Sequence, residues 1–151
     1  MTNNPWYKRL AASRDPDFIV GGKDTPYMLR WWVIPRNKIF NIYLHKFLRS
    51  DDDRALHDHP WINLSILLEG SYVEHSILQG GVERAVKRIA PAFKFRTPTS
   101  AHRIEIDEPC WTLFITGPVV RNWGFHCPKG WRPWQQFVDK RDSGSIGRGC
   151  D

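Results

Sequence analysis

The sequence predicts an antiparallel all-β sandwich or barrel, and three observations carry the prediction. The chain has 151 residues, close to one ordinary domain. It is rich in aromatic residues, with 8 Trp, 8 Phe and 4 Tyr, and aromatic side chains suit the pleated, half-buried surface of a strand. Gly and Pro, 11 of each, cut these runs into short segments at regular turn signals. Hydrophobic content of 41% and charged content of 25% are those of a globular protein. A chain of this size buries about two thirds of the surface its unfolded form exposes, enough for a real core.

Residues 1–30, with Pro5, Pro16, Gly21-Gly22 and Pro26, lack sustained periodicity and read as an N-terminal extension with a short helix around Trp6 to Ala12. Trp31 to Pro35 and Ile39 to Leu48 are β-rich, and the second alternates, placing Asn41, Tyr43, His45 and Phe47 on one face. An acidic turn follows at Ser50 to Asp53. Ala55 to Glu69 is the longest strand-like stretch, closed by Gly70, with Ser71 to Leu78 expected as its hairpin partner. Gln79-Gly80-Gly81 is a turn. Short strands are expected at 82–89, 92–95, 102–106, 110–116 and 119–126. Trp131, Trp134 and Phe137 form a partial helical stripe suited to capping one end of the domain. The division that results is an extension over 1–30, a β domain over 31–138 and a flexible, Gly- and Ser-rich tail over 139–151.

Several function classes drop out early. No run of about 18 apolar residues is present, so no membrane-spanning helix is expected, and the first ten residues lack the apolar core of a signal peptide. Lys and Arg (22) exceed Asp and Glu (16), but the basic residues are scattered in doublets and form no nucleic-acid-binding motif. The net charge of +6 is compatible with an anionic substrate met by basic residues near the mouth of the domain. Cys110, Cys127 and Cys150 are odd in number and contain no CxxC pair; they read as reduced thiols, and the expected location is cytoplasmic. No nucleophile elbow, P-loop or dinucleotide fingerprint is present.

Chemistry concentrates in Leu56-His57-Asp58-His59-Pro60-Trp61. In a strand His57 and His59 share a face, with Cα atoms about 6.5 Å apart, and neutral imidazole is a common ligand for Zn, Cu, Fe and Ni. Two histidines rarely hold a metal alone. His102, just after a Pro-Thr-Ser turn, is the best third ligand. The same residues also fit two surface histidines flanking an aspartate.

The block resembles the first motif of the cupin superfamily, a His-x-His pair followed by Glu and by a Gly that closes the strand. Here the pair is His57 and His59, Gly70 closes the strand, and Asn63 stands at the usual glutamate. The second cupin motif, a Pro-x-Gly turn followed by His, looks like Pro98, Ser100 and His102, with serine for glycine. The resemblance covers about residues 39–126. It implies a cupin-type jelly-roll β-barrel holding a divalent metal, Fe(II) first, with Zn, Ni or Mn as alternatives. With Asn63 in place of a carboxylate, the family's three-histidine facial site is implied: His57, His59 and His102, with open positions for a substrate and dioxygen side by side. No histidine has an aspartate two residues on, so the ligand pattern of the 2-oxoglutarate oxygenases is absent.

The expected function is therefore that of a metal-dependent, dioxygenase-like oxidoreductase acting on a small organic substrate. Alternatives are a metal-dependent isomerase or epimerase and a non-catalytic metal- or ligand-binding module. Asn63 is expected beside the histidine pair, orienting water or substrate, and Tyr43 and His45 are candidate cavity residues. Glu74 and His75, on opposite faces, read as solvated strand residues, and Trp61 as a wall of the cavity or as core. His126 and Cys127, being adjacent, are not expected to chelate together. The oligomeric state is not readable from the sequence; small cupins often pair through their N-terminal strands, so the resemblance admits a homodimer, for which Trp31-Trp32 would suit the edge.

Overall fold

The structure is a computed structural model and describes residues 4–51, 55–78 and 80–151. Asp52 and Asp53 of the expected acidic turn, and Gln79 of the expected Gly-rich turn, lie outside these residues. The chain runs α1 (Trp6–Ser13), β1 (Phe18–Val20), β2 (Met28–Trp32), β3 (Asn41–Phe47), β4 (Leu56–His57), β5 (Asn63–Glu69), β6 (Ser71–Ile77), β7 (Glu83–Ile89), β8 (Ala92–Arg96), β9 (His102–Glu105), β10 (Cys110–Thr116), β11 (Gly124–Cys127), β12 (Gly130–Pro133) and α2 (Trp134–Phe137). Two six-stranded antiparallel sheets form, ordered β1-β2-β3-β10-β5-β8 and β12-β11-β4-β9-β6-β7. They stack as a jelly-roll sandwich and are not closed into one hydrogen-bonded barrel. No helix of the described residues is long and apolar enough to cross a membrane.

Period-2 alternation sorts the first sheet into two faces. Inward go Met28, Tyr43, His45, Phe47, Leu67 and Phe114. Outward go Trp31, Leu44 and Trp111, which form a separate cluster under α1. There Trp31 stacks on Trp111 at 6.0 Å between centroids, and Tyr7 donates to Glu69 Oε2 at 2.7 Å. Between the sheets Tyr27, Met28, Phe47, Leu67, Tyr72, Ile104 and Cys110 form one core cluster, and five of them, Tyr27, Met28, Phe47, Tyr72 and Ile104, also line the cavity.

Several sequence expectations change here. The stretch Ala55 to Glu69 is two strands in different sheets, β4 and β5, and β6 is not the hairpin partner of β5. Gly70, at φ +88°, turns the chain from one sheet to the other; a Cβ there would lie 2.8 Å from the Cys110 Cβ, so only glycine fits. The hairpin is instead β6–β7, paired from Ser71↔Ile89 to Ile77↔Glu83. Trp31-Trp32 is not an edge, because β2 lies between β1 and β3 and Trp31 is buried. Strand β2 also runs across residue 30.

Trp131, Trp134 and Phe137 do not share one helix, since Trp131 belongs to β12. Phe137 nevertheless caps the sandwich, stacked on Phe125 with ring centroids 3.6 Å apart. Burying rings of this size contributes about 1.5–3 kcal/mol each.

The tail is tied back rather than free. Gly21 N donates to Gly144 O at 2.7 Å, Arg132 Nη1 donates to Gly149 O at 2.7 Å, and Cys127 is disulfide-bonded to Cys150 with Cα atoms 5.5 Å apart. This overturns the expectation of three reduced thiols: the return of the tail over β11 brings together two cysteines that their spacing leaves unrelated. Cys110 stays free and buried. The cysteine argument for a reducing compartment falls with it.

Candidate metal centre

His57 and His102 are direct cross-strand partners on β4 and β9, which puts their side chains side by side on one face. His59 lies just beyond the end of β4, held by its backbone N–H to Pro98 O at 3.0 Å. The ring centroids are 5.1 Å apart for His57–His59, 4.9 Å for His57–His102 and 5.1 Å for His59–His102. One nitrogen from each comes within 4.8 Å of the others. His59 and His102 are buried, and the Nδ1 atom of each has no hydrogen-bond partner among the described residues.

Burial, reinforced by the charges of the neighbouring histidines and of Arg96 and Arg30, holds His59 well below the ordinary histidine range. Burial and the Arg96 charge pull His102 down to about 4, against an opposing pull from Glu74. Both rings are therefore neutral at pH 7, the state in which imidazole binds metal.

Asp58, between the two histidines in sequence, points the other way and braces them. Gly124 N–H donates to its Oδ1 at 2.8 Å and Trp131 Nε1–H to its Oδ2 at 2.9 Å. Arg121 Nη1 lies 2.9 Å from Oδ1, and His126 Nε2 lies 3.2 Å from Oδ2. One buried carboxylate thus pins β11 and β12 against the segment that carries the histidine pair. The alternation of His-Asp-His separates a pair facing the cavity from an anchor facing away.

Glu74, expected in solvent, is 3% exposed. It accepts from Arg96 Nε at 2.7 Å and from Arg96 Nη2, and from Arg88 Nε at 2.8 Å. Its Oε1 lies 3.2 Å from His102 Nδ1, off the line of a hydrogen bond to the ring. His102 and the Arg96 guanidinium more than offset the burial that opposes ionisation, so its carboxyl sits well below the usual range. Arg96 also donates to Asn63 Oδ1 at 3.3 Å.

Asn63 does not share a strand face with the histidine pair, as an unbroken strand would require. It stands on β5 in the opposite sheet, paired with Arg96 of β8, and is not among the cavity-lining residues.

The histidines open onto a cavity of about 440 Å³. Trp61 stacks on His59 at 5.1 Å and Phe114 lies 5.9 Å from the same ring. Tyr43 and His45 line the cavity from the first sheet, with their rings stacked at 6.1 Å. His45 Nε2 accepts from Arg30 Nε at 2.9 Å, and burial with the Arg30 charge keeps this ring neutral.

Sequence reasoning missed Glu74, Arg96, Arg30 and the anchoring role of Asp58. The one pattern that hinted at Arg96 is strand β8, Ala-Phe-Lys-Phe-Arg. Its Phe93 and Phe95 are 65% and 59% exposed, whereas Arg96 is buried.

No protein-family model matches the chain, and no curated protein matches it significantly by sequence. Solved structures do. A cupin superfamily protein from Desulfitobacterium hafniense superposes with a TM-score of 0.53 and 14% identity, over 78% of this chain and 94% of that one. The fold is that of a cupin. The Fe(II) form of HppE matches this chain with a TM-score of 0.57 and 12% identity, over 69% of this chain and 57% of that one. Oxalate decarboxylase from Bacillus subtilis, studied for its Mn(II) centres, matches with a TM-score of 0.54 and 18% identity, over 76% of this chain and 30% of that one. The chain thus spans little more than half the length of HppE. At these identities the likeness is one of fold.

Proposed function

We propose that this cupin is a metal-dependent, dioxygenase-like oxidoreductase acting on a small organic substrate, with His57, His59 and His102 as the ligands. The observation that carries the reading is the convergence of three imidazole nitrogens within 4.8 Å at the wall of a substrate-sized cavity. The donor set fits a divalent transition metal: buried, nitrogen-only, neutral at His59 and His102, and with no carboxylate in the cluster. The solved Fe(II) and Mn(II) cupins named above support a divalent ion, and in our reading it is Fe(II), with Zn, Ni and Mn as competitors. When bound, the ion supplies open positions at which substrate and dioxygen meet.

The remaining chemistry belongs to the chain. Trp61 and Phe114 wall the site and exclude water from the rings of His59 and His45. Tyr43 and neutral His45 orient the substrate from the opposite sheet. Asn63 acts at one remove, fixing the Arg96 guanidinium that holds Glu74 beside His102.

The isomerase alternative needs a base at the cavity. Glu74 is unsuited, because its carboxylate is committed to Arg88 and Arg96, which leaves His45 and Tyr43.

The test is metal content of untagged protein followed by dioxygen uptake on Fe(II) loading with a panel of small substrates. We expect retained metal, uptake with a subset of substrates, and loss of metal in His57→Ala and His102→Ala but not in His126→Ala. Metal content unchanged in the triad variants would sink the site. Metal without oxygen chemistry across the panel would move the reading to the isomerase or to a binding module.

A further inference from the structure

Arg30 has no acidic ion-pair partner among the described residues. It sits in the interior of the first sheet, directly opposite His45 on β3, and its side chain lines the same cavity as the three histidines. The guanidinium spends Nε–H on His45 Nε2 at 2.9 Å and lies over the Tyr43 ring, 4.7 Å from its centroid. Its two terminal nitrogens have no hydrogen-bond partner among the described residues. The ionisable groups that act on it are the phenols of Tyr43 and Tyr27 and the charge of Arg36. Arg36 is a second cation on the cavity wall, and no aspartate or glutamate lines it among the described residues.

Contrast Arg96, which is more deeply buried than the half-buried Arg30 and whose guanidinium is paired with Glu74. A buried cation is normally paired, and guanidinium presents two parallel N–H groups suited to a carboxylate or phosphonate. Arg30 lines the cavity, and the terminal N–H groups that would make such a fork are not the one it spends on His45.

We infer that Arg30 binds the anionic head group of the substrate, a carboxylate or phosphonate, and so sets the substrate class of this cavity. The inference rests on reading the cavity as a substrate site. Tyr43, under the guanidinium, and His45, accepting from its Nε, hold the fork in place. The reactive part of the molecule then extends past Phe114, which contacts both His45 (5.2 Å) and His59 (5.9 Å). A guanidinium kept only to orient His45 would need no exposed fork and would show no preference for charge in a ligand.

The experiment titrates propionate, methylphosphonate and neutral propionamide into the full chain, as purified and after metal stripping. Tryptophan fluorescence and thermal shift follow binding, since Trp32, Trp61 and Trp123 line the cavity. We expect saturable binding of at least one anion, at least about tenfold weaker binding of propionamide, and a similar loss for the anion in Arg30→Gln. Arg30→Lys should keep part of the affinity, as a charge without the fork. Propionamide binding as tightly as propionate, or undiminished anion binding in a folded Arg30→Gln, would overturn the inference. Should Arg30→Gln not fold, the acid-against-amide comparison on the unaltered chain decides it.

The two readings separate cleanly. Anion binding that survives stripping, in a protein that never retains metal, sinks the metal centre and leaves Arg30 standing. Retained metal without anion preference sinks Arg30 alone.

Discussion

Glu74 Oε1 lies 3.2 Å from His102 Nδ1 while the same carboxylate accepts from Arg96 Nε at 2.7 Å. A candidate ligand therefore has beside it a carboxylate that two arginines hold in place, close enough to act on the ring through its charge. Carboxylates behind metal-binding histidines orient the ring and raise its basicity. Replacing Glu74 with Gln should lower metal affinity about 10- to 100-fold. It also leaves Arg96 without its buried partner, at a cost of about 3–5 kcal/mol. Metal titration and denaturant unfolding read the two effects separately, and unchanged metal affinity in a folded Glu74→Gln protein would contradict that action on the ring.

Asp58 couples the histidine pair to the C-terminal strands. In Asp58→Ala the Gly124 N–H, the Trp131 indole N–H and Arg121 all lose their acceptor. A loss of about 2–4 kcal/mol is expected, together with weaker metal retention, because His57 pairs directly with Phe125 of β11. Asp58→Asn, which keeps one acceptor oxygen, should lose less on both measures. Equal stability of the two variants would show that the carboxylate is not the brace.

His45 makes stability depend on pH. Its native pKa is held well below 6.5 by burial and by Arg30, so below about pH 6.5 the unfolded chain takes up a proton that the native state refuses. The stabilisation is complete above about pH 6.5 and is lost as pH falls, by at most about 1.4 kcal/mol per pH unit. Thermal midpoints at pH 7.5 and 5.5 should differ by less in His45→Gln, which keeps an acceptor for Arg30, than in the unaltered protein. An equal difference would place the acid sensitivity elsewhere.

The Cys127–Cys150 bond closes a loop of 23 residues and should stabilise the cap by roughly 3 kcal/mol on the chain-entropy account. Reduction, or Cys127→Ser, should lower the thermal midpoint and release the tail to proteolysis near Gly144 and Gly147. Non-reducing mass spectrometry of the native protein establishes the pairing first. A midpoint insensitive to reductant would mean that Arg132 and the backbone bonds hold the tail without it.

Local patterning was legible where neighbouring residues alone decide the outcome. The alternation of Tyr43, His45 and Phe47 and the shared face of His57 and His59 come from period-2 spacing, which short-range sterics impose. An antiparallel sandwich or barrel was legible because aromatic strands cut by Gly and Pro have few other ways to bury their faces; the jelly roll came only from the resemblance carried by His57, His59, Gly70 and His102. A charge inside the molecule was not legible, because its sign there depends on a partner far along the chain. Glu74 reads as solvated until Arg96, 22 residues later, is folded against it.

What the sequence determined by itself is thus the β architecture, the His-x-His pair and its third partner, because each follows from residue type and local period. Tertiary structure alone decided that β5 and β6 part company at Gly70, that Asn63 pairs with Arg96 rather than lining the cavity with the histidines, that the tail is stapled through Cys127, and that Arg30 lines the cavity, where no aspartate or glutamate joins it among the described residues. These depend on which strands become neighbours across two sheets, and long-range pairing is a property of the whole packed chain that no local window contains.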